Sequence, residues 1–471
     1  MVVGEFAAKT VVAAAIILRS RSTPAVRLSW LVIVFAVPVA GIVAYLLFGE
    51  NRLGRRRIQR YSEILSRHDR AAATSAVVKP TPKIPNEYQQ IAHLAEAVGG
   101  GNWARGGNAL QLFGDTQRLV GSIVSDIERA ESHCHLEFYI FLSDRSGNEV
   151  ADALIQAVQR GVSCRLLVDG VGSKTFLRSE LRTNLARGGV HVVEALPARL
   201  LRAALARIDL RNHRKIAVID GSVGYVGSQN IADASFAPKP KYAPWVDCMV
   251  RVKGPAVTDL HTLFLQDWAV ETGEFLEEHF ANNPAPGRDG AAVQILGTGP
   301  MAHNEAMLQL SQAAINTARE ELIITSPYFV PDEATAASLH TAARRGVETR
   351  LVVPARNDSW MVAAASRSYY RDLLDAGVSI YEYRPGLLHA KTMTCDRQFA
   401  VVTSANLDRR SFELNFEVSM VVYDSNFASQ LRFLQMSYIE DSTMVDAAQW
   451  IKRGWPIKLW HNAVGMLSPL L

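Results

Sequence analysis

Twice in this chain a histidine stands two residues before a lysine, with an aspartate five residues further on: His213-Arg-Lys215 with Asp220, and His389-Ala-Lys391 with Asp396. A serine and an asparagine follow each set, Ser228 and Asn230 in the first copy, Ser404 and Asn406 in the second. All five positions recur at one offset of 176 residues. An imidazole beside an ammonium suits a phosphodiester. The lysines, with Ser228, Asn230, Ser404 and Asn406, would hold its non-bridging oxygens. One imidazole would attack phosphorus, and the other would protonate the leaving alcohol and later deprotonate the incoming one. Histidine's ordinary pKa near 6.5 allows one ring to be neutral and the other charged near pH 7. One such motif arises easily by chance; two in register do not.

The elements around the motifs repeat as well. The strand-like run His135–Leu142 resembles Leu322–Val330. Each is followed by a helical pattern ending in Arg-Gly-Val, at Arg160-Gly161-Val162 and Arg345-Gly346-Val347. A second helix ends at Gly188-Gly189-Val190 and at Ala376-Gly377-Val378, and further strands follow. Strand–helix alternation of this kind predicts an α/β fold. Two tandem α/β halves are expected, over about 110–275 and 290–450, related by a pseudo-two-fold that brings both His–Lys pairs to one pocket. Histidine and lysine at i and i+2 of a strand would share a face. Asp247 and Glu417, on strand-like runs, are candidates to orient the two imidazoles, or else members of surface ion pairs. The chain carries no metal-site or nucleotide fingerprint, so neither a metal nor a cofactor is expected.

Composition narrows the setting. The 471 residues are 48% apolar and 20% charged, which excludes a disordered chain. Four scattered cysteines argue against a disulfide or zinc scaffold and for buried thiols. Leu28–Phe48 is uncharged over 21 residues, about 31 Å as a helix, and predicts a transmembrane span. Trp30 and Tyr45 lie near its ends, and Pro38 is expected to kink it. Val2–Leu18 is a second apolar stretch, carrying Glu5 and Lys9, and reads as a first span or half-span. Arg52, Arg55, Arg56, Arg57 and Arg60 follow the span and would stay cytoplasmic against anionic headgroups. Arg19, Arg21 and Arg27, on its other side, oppose that orientation. Residues 1–60 thus read as an anchor and 61–109 as a linker. Leu200–Arg211, with Arg202, Arg207 and Arg211, is an insertion of the first half that would rest on the bilayer or pack between domains. Residues 451–471 form an amphipathic tail in which Lys452, Arg453, Trp455, Lys458 and Trp460 mix base and indole.

The duplicated H-x-K-x4-D motif resembles the phospholipase D superfamily, and within it the bacterial cardiolipin synthases, over nearly the whole chain. Leu46–Glu50, Ser326–Pro331, Gly386–Lys391, Asn406–Phe412 and Asn415-Phe-Glu417 carry the likeness. The resemblance implies that His213 and His389 are nucleophile and acid/base, the first usually the nucleophile. Asp220 and Asp396, part of the same motif, would support the fold. It further implies phosphatidyl transfer between two phosphatidylglycerol molecules, giving cardiolipin and glycerol at a bacterial plasma membrane. Anionic lipid would be the partner, and nucleic acid would not. Thr403 departs from the pattern, which usually has glycine before the serine. The rival readings are a phospholipase D-type hydrolase, a phosphatidylserine synthase, a nuclease and an inactive lipid-binding scaffold. Acceptor choice depends on water exclusion, which motifs do not encode. The intact His–Lys pairs disfavour a scaffold, and the anchor and near-neutral body disfavour a nuclease.

Overall fold

The computed structural model describes residues 2–18, 24–49, 57–64, 82–197, 207, 209–276, 290–301, 303 and 305–466. The first half contributes strands β1 (Arg105–Phe113), β2 (His133–Phe138), β3 (Ser163–Asp169), β4 (His191–Ala195), β5 (Lys215–Ile219), β6 (Val223–Gly227) and β7 (Met249–Lys253). The second contributes β8 (Ala291–Thr298), β9 (Glu321–Thr325), β10 (Glu348–Pro354), β11 (Ser379–Tyr383), β12 (Thr392–Cys395), β13 (Phe399–Thr403) and β14 (Asn415–Tyr423). They form one sheet in the order β11-β10-β9-β12-β13-β14-β8-β1-β7-β6-β5-β2-β3-β4. At its centre β8 and β1 pair antiparallel, Val293 opposite Arg105 and Ala291 opposite Asn108. Read outward from that seam, the two halves have the same strand order, as two copies related by a two-fold would. In both, the outer three strands run parallel.

The local chemistry repeats with the topology. Asp144 caps the helix Arg145–Gln159 and Asp332 caps Glu333–Arg344, each accepting a backbone N–H of the first turn. Beyond each helix the Arg-Gly-Val step is explained by a left-handed glycine, Gly161 at φ +93° and Gly346 at φ +89°. β14, Asn-Phe-Glu-Val-Ser-Met-Val-Val-Tyr, is buried at all nine positions. Both its faces are covered, so Asn415, Glu417 and Ser419, which alternate with Phe416, Val418 and Met420, are buried as well. Val250 and Leu260 of the first half pack with Ile295, Val402 and Met420 of the second in a core that crosses the seam. All four cysteines are free and buried.

Several sequence expectations need correction. Residues 61–109 are not simply a linker. Tyr88 is fully buried and stacks on Phe399 at 5.1 Å, and Ile91 and Ala95 join the core of the second half. The helix Gln89–Val98 is short, so its apolar face was too brief to register as periodicity. β1 also begins before the expected boundary at 110.

The segment 28–48 is not one continuous helix. It forms Pro24–Ala36 and Pro38–Phe48, folded back on each other at Val37. The Trp30 and Tyr45 ring centroids lie 5.5 Å apart, where a straight helix would separate those residues by about 22 Å. Gly41 permits the close return, since a Cβ there would lie 2.5 Å from the Ile33 carbonyl oxygen. Pro38 opens a new helix, a position where its missing N–H costs nothing. Among the described residues no helix is long and apolar enough to cross a membrane.

Basic residues assigned to lipid are also spent elsewhere. Arg57 pairs with Glu271 at 2.6 Å, and Arg60 donates to the Val270 carbonyl at 3.0 Å. Arg207 pairs with Asp209 at 2.5 Å. Buried Arg211 lies 3.5 Å from Asp169. Arg19, Arg21, Arg52, Arg55, Arg56 and the expected insertion at 200–206 and 208 lie outside the described residues, as do 467–471.

Candidate active site

The two histidines lie outside the regular strands, and the His–Lys pairs are buried. The histidines lie where the chain crosses toward the opposite half, with Lys215 opening β5 and Lys391 directly before β12. The His213 N–H donates to the Phe416 carbonyl of the second half at 2.9 Å, and the His389 N–H donates to the Val246 carbonyl of the first at 2.7 Å. These crossings interrupt the ladder, so the two-residue alternation expected for a strand does not apply.

Each imidazole is held by an acid from the other half. His213 Nδ1 is 3.0 Å from Glu417 Oε2 and 3.1 Å from the Ser404 carbonyl oxygen. His389 Nδ1 is 2.7 Å from Asp247 Oδ1. Carbonyl and carboxylate oxygens only accept, so each Nδ1 carries the proton and each Nε2 keeps its lone pair. Burial lowers the pKa of His213 to about 4, against the opposing pull of Glu417. It lowers that of His389 as well, against Asp247. Both acids stay ionised despite burial because their histidines, the nearby lysines and a serine favour the charged form.

The lysines are fully desolvated. Lys215 Nζ donates to the His213 carbonyl at 2.5 Å and Lys391 Nζ to the His389 carbonyl at 2.6 Å. Burial brings Lys215 down to about 7 and Lys391 to about 8, and Lys391 adds to the depression of Lys215. Lys391 also acts on His213, and Lys215 on His389. The four groups therefore share one electrostatic site although they come from two halves. Two lysines face two carboxylates in the site, and an arriving phosphodiester anion would favour protonated lysines.

Other expected site residues take different places. Ser228 and Ser404 are fully buried, and their hydroxyls donate to Asp247 at 2.6 Å and to Glu417 at 2.5 Å. They sit behind the imidazoles and fix the acids, which corrects the expectation that they face the phosphate. Asn230 gives its carbonyl to the Ile140 N–H at 3.0 Å. Asn406 donates from Nδ2 to Ser411 at 3.2 Å, while its buried Oδ1 has no hydrogen-bond partner.

Asp220 and Asp396 lie at the far ends of β5 and β12, about 17 Å of strand from the lysines. Asp220 accepts the N–H groups of Glu131, Ser132 and His133, and Asp396 those of Arg319, Glu320 and Glu321. They tie down the starts of β2 and β9, a strand's length from the histidines, and act on the fold rather than on the reacting atoms.

Thr403 does not crowd the loop. Its hydroxyl meets Ser419 Oγ at 2.7 Å and accepts the Ala405 N–H at 3.0 Å. At the equivalent Gly227 a Cβ would lie 2.4 Å from the Cys248 carbonyl oxygen, so only the first half requires glycine.

Sequence reasoning missed the groups that frame the rings. Tyr139 sets its edge against His213 at 4.7 Å, and Lys215 Nζ lies 5.3 Å from the same phenol ring. Trp245 packs on His389 at 4.9 Å. Tyr328 donates to Asp358 at 2.6 Å, and Lys239 pairs with that acid at 2.5 Å. Asp408, in the motif region after Asn406, is raised to about 6 by burial and caps the turn at Ser411. The available signal was aromatic residues directly after β2 and before Asp247, which spacing alone does not distinguish from core.

His133, His135 and His261 form a buried cluster with ring nitrogens within 4.8 Å of one another. Arg165 donates to His135 Nε2 at 3.2 Å, so His135 Nδ1 carries the proton that bonds His261 Nε2 at 2.9 Å. The His133 and His261 rings stack at 4.8 Å and 17°, so their in-plane lone pairs do not converge. With a guanidinium alongside, this arrangement is a hydrogen-bonded stack rather than a cation cradle. It lies at the β2 end remote from His213.

Comparison with known proteins agrees with this architecture. The family described as "Cardiolipin synthase, PLD-like domain" matches residues 123–268 and 312–451. A second, "Phospholipase_D-nuclease N-terminal", matches 10–50. Cardiolipin synthase A of Yersinia pseudotuberculosis serotype O:1b (strain IP 31758) is 38% identical over 468 residues, covering 97% of this chain and 95% of that protein. The protein of the same name from Yersinia pestis bv. Antiqua (strain Angola) gives the same figures. Among solved structures, phosphatidylserine synthase of Haemophilus influenzae Rd KW20 superposes with a TM-score of 0.60 at 13% identity, covering 81% of this chain and all of that one. At that identity the likeness speaks for the fold alone.

Proposed function

This chain belongs to the PLD-like cardiolipin synthase family, and we propose that His213 and His389 carry its phosphatidyl transfer. The enzyme is a phosphatidyltransferase: two phosphatidylglycerol molecules give cardiolipin and glycerol. The observation that carries the residue assignment is the crossed clamp. Each Nδ1 is tied to an acid of the opposite half, so both Nε2 atoms are free beside two desolvated lysines.

His213 Nε2 attacks the phosphorus of the first phosphatidylglycerol. Arrival of the phosphodiester anion, with Asp247 behind the ring, favours the His389 imidazolium, which takes up a proton at Nε2; the bond to the headgroup oxygen breaks, and glycerol leaves with that proton. A terminal hydroxyl of the second phosphatidylglycerol then gives its proton to His389 and attacks phosphorus, breaking the phosphorus–Nε2 bond. One acid/base serves both steps because the leaving and entering groups are both alcohols. Lys215 and Lys391 neutralise the non-bridging oxygens, and the amides of Asn230 and Asn406 complete that cradle. His213 is the better nucleophile candidate because burial holds it neutral down to about pH 4.

The lipid substrate places the enzyme at a bacterial plasma membrane, with the N-terminal helices as its anchor. Exposed Leu28, Val32, Phe35, Val39 and Val43 supply the apolar surface for it. The fold at Val37 returns the chain to the end of the hairpin at which Arg27 stands, which favours catalytic halves in the cytoplasm.

The test is to incubate the full chain with labelled phosphatidylglycerol, quench at neutral pH and map the adduct by mass spectrometry. A phosphatidyl group on His213, with cardiolipin and glycerol released, is expected. Phosphatidic acid as the main product, or an adduct on neither histidine, overturns the proposal.

A further inference from the structure

The C-terminal helix Trp455–Gly465 is apolar on two opposite faces. On one, Val464 is buried against Val330, Ala364 and Ala365 of the second half. On the other, Trp455 is 74% exposed, Leu459 61% and Met466 77%. Those three stand at i, i+4 and i+11, one stripe of a helix. On the flank between the two faces, Trp460 stacks at 5.6 Å on Trp360, itself 64% exposed, at the start of helix Trp360–Ser368, so an exposed indole of the body stands beside the stripe. Lys458, His461 and Asn462 occupy the arc between the two apolar faces, so the exposed face has a polar border. Here one side has nothing of the described chain over it. The charges in and around it are of one sign: between Ile451 and Met466 the chain holds Lys452, Arg453 and Lys458 and no acid.

We infer that this stripe, formed by the C-terminal helix and Trp360, docks the enzyme on the surface of an anionic bilayer beside the active site. Indoles prefer the headgroup region, and basic residues gain about 1 kcal/mol each near an anionic surface. Position supports the occupant. Trp360 lies two residues after Asp358, whose carboxylate binds Tyr328 and lies in the field of His389. Docking at this point brings headgroups to the His389 rim while acyl chains stay in the bilayer. The N-terminal helices would tether the molecule but leave that approach unspecified. A second copy of this chain is the disfavoured occupant, since the same basic flanks would repel each other. The inference rests on the reading of the site as one for phospholipids.

The four native cysteines are buried, so Leu459→Cys can be labelled selectively with an environment-sensitive fluorophore. Asp152→Cys, on an exposed face of the first half, is the control. The full chain is reconstituted in vesicles of phosphatidylethanolamine with 30%–50% phosphatidylglycerol, a composition of roughly the anionic content that recruits basic helices. The label at 459 is expected to shift to shorter wavelength and be quenched by brominated lipid but not by aqueous iodide. The control is expected to do the reverse. Replacing phosphatidylglycerol with phosphatidylcholine should weaken the shift. Equal iodide quenching at both sites overturns the inference, and protection at 459 from both quenchers assigns the stripe to a protein contact and also overturns it. These readouts need no turnover, so they fail or succeed independently of the proposed reaction. In the unlabelled chain, Trp455→Glu with Leu459→Glu should lower turnover of bilayer substrate about tenfold relative to a short-chain monomeric phosphatidylglycerol.

Discussion

The two halves share a backbone plan, yet they hold their imidazoles differently. His213 sits on a carboxylate that also binds Ser404 and Asn415, with a backbone carbonyl as second acceptor and a tyrosine edge beside it. His389 sits on one oxygen of Asp247, which Ser228 shares, under a tryptophan. Duplication fixes where the rings stand, and the unlike surroundings separate their roles. The ring with more acceptors at Nδ1 is pinned as a neutral donor, which suits a nucleophile. The ring with a single short carboxylate contact is better placed to pick up and release a proton, because the anion stabilises the imidazolium that forms.

The sharpest way to break that comparison is to remove each ring. His213→Ala should abolish both product and adduct, a loss of about 10^6-fold or down to background. His389→Ala should cost about 10^4-fold while a slow adduct still accumulates on His213, since only proton transfer is lost. Quenched-flow labelling with phosphatidylglycerol distinguishes the two. Equal adduct formation in both variants would show that the halves are interchangeable.

Removing the charge from each acid tests the clamps with a smaller effect, roughly 10^2- to 10^4-fold in kcat for Glu417→Gln and for Asp247→Asn. The pH profile separates them. In the free enzyme, kcat/KM should fall as pH rises through about 7 to 8, as Lys215 and then Lys391 lose their protons. Glu417 is the first-ranked charge holding Lys215 up, and Asp247 plays that part for Lys391. Glu417→Gln should therefore move the alkaline limb to lower pH, and Asp247→Asn should move it less, because Lys391 titrates later. The acid limb should lie near pH 4, where His213 takes a proton. A limb that ignores both substitutions would remove the lysines from phosphate binding.

What the sequence made legible was local or exactly repeated in spacing. The His–Lys pairs, the α/β alternation and the two halves followed from offsets, and the repeated glycines proved to be left-handed helix ends. Asp247 and Glu417 stood out as acids on apolar runs, but their crossing did not. It spans 204 residues for His213–Glu417 and 142 for His389–Asp247, beyond any periodic signal. Ser228 and Ser404 were misplaced for a related reason. Spacing put them near the site, and only packing shows their hydroxyls turned back to the acids. The apolar run 28–48 read as one helix because hydropathy carries no direction, and the reversal at Val37 depends on Trp30 meeting Tyr45.

The smallest predicted effect concerns the motif aspartates, where the halves again differ. Asp220 accepts three backbone N–H groups. Asp396 accepts three and also the Tyr88 hydroxyl at 3.2 Å, from the segment that precedes β1. Asp220→Ala should cost about 2–4 kcal/mol of stability, since three donors lose a charged acceptor and some of them recover water. Asp396→Ala should cost about 1 kcal/mol more, the net worth of one further hydrogen bond. Tyr88→Phe alone should cost that same amount, because the ring still stacks on Phe399. In the Tyr88→Phe background the two aspartate variants should become equal, a coupling readable by denaturant unfolding of a double-mutant cycle. Turnover per folded molecule should change less than about twofold, because these carboxylates stand a strand's length from the imidazoles. A loss of kcat without a loss of stability would instead return Asp220 and Asp396 to the reacting centre, and the likeness between the halves would then extend to chemistry at both ends of β5 and β12.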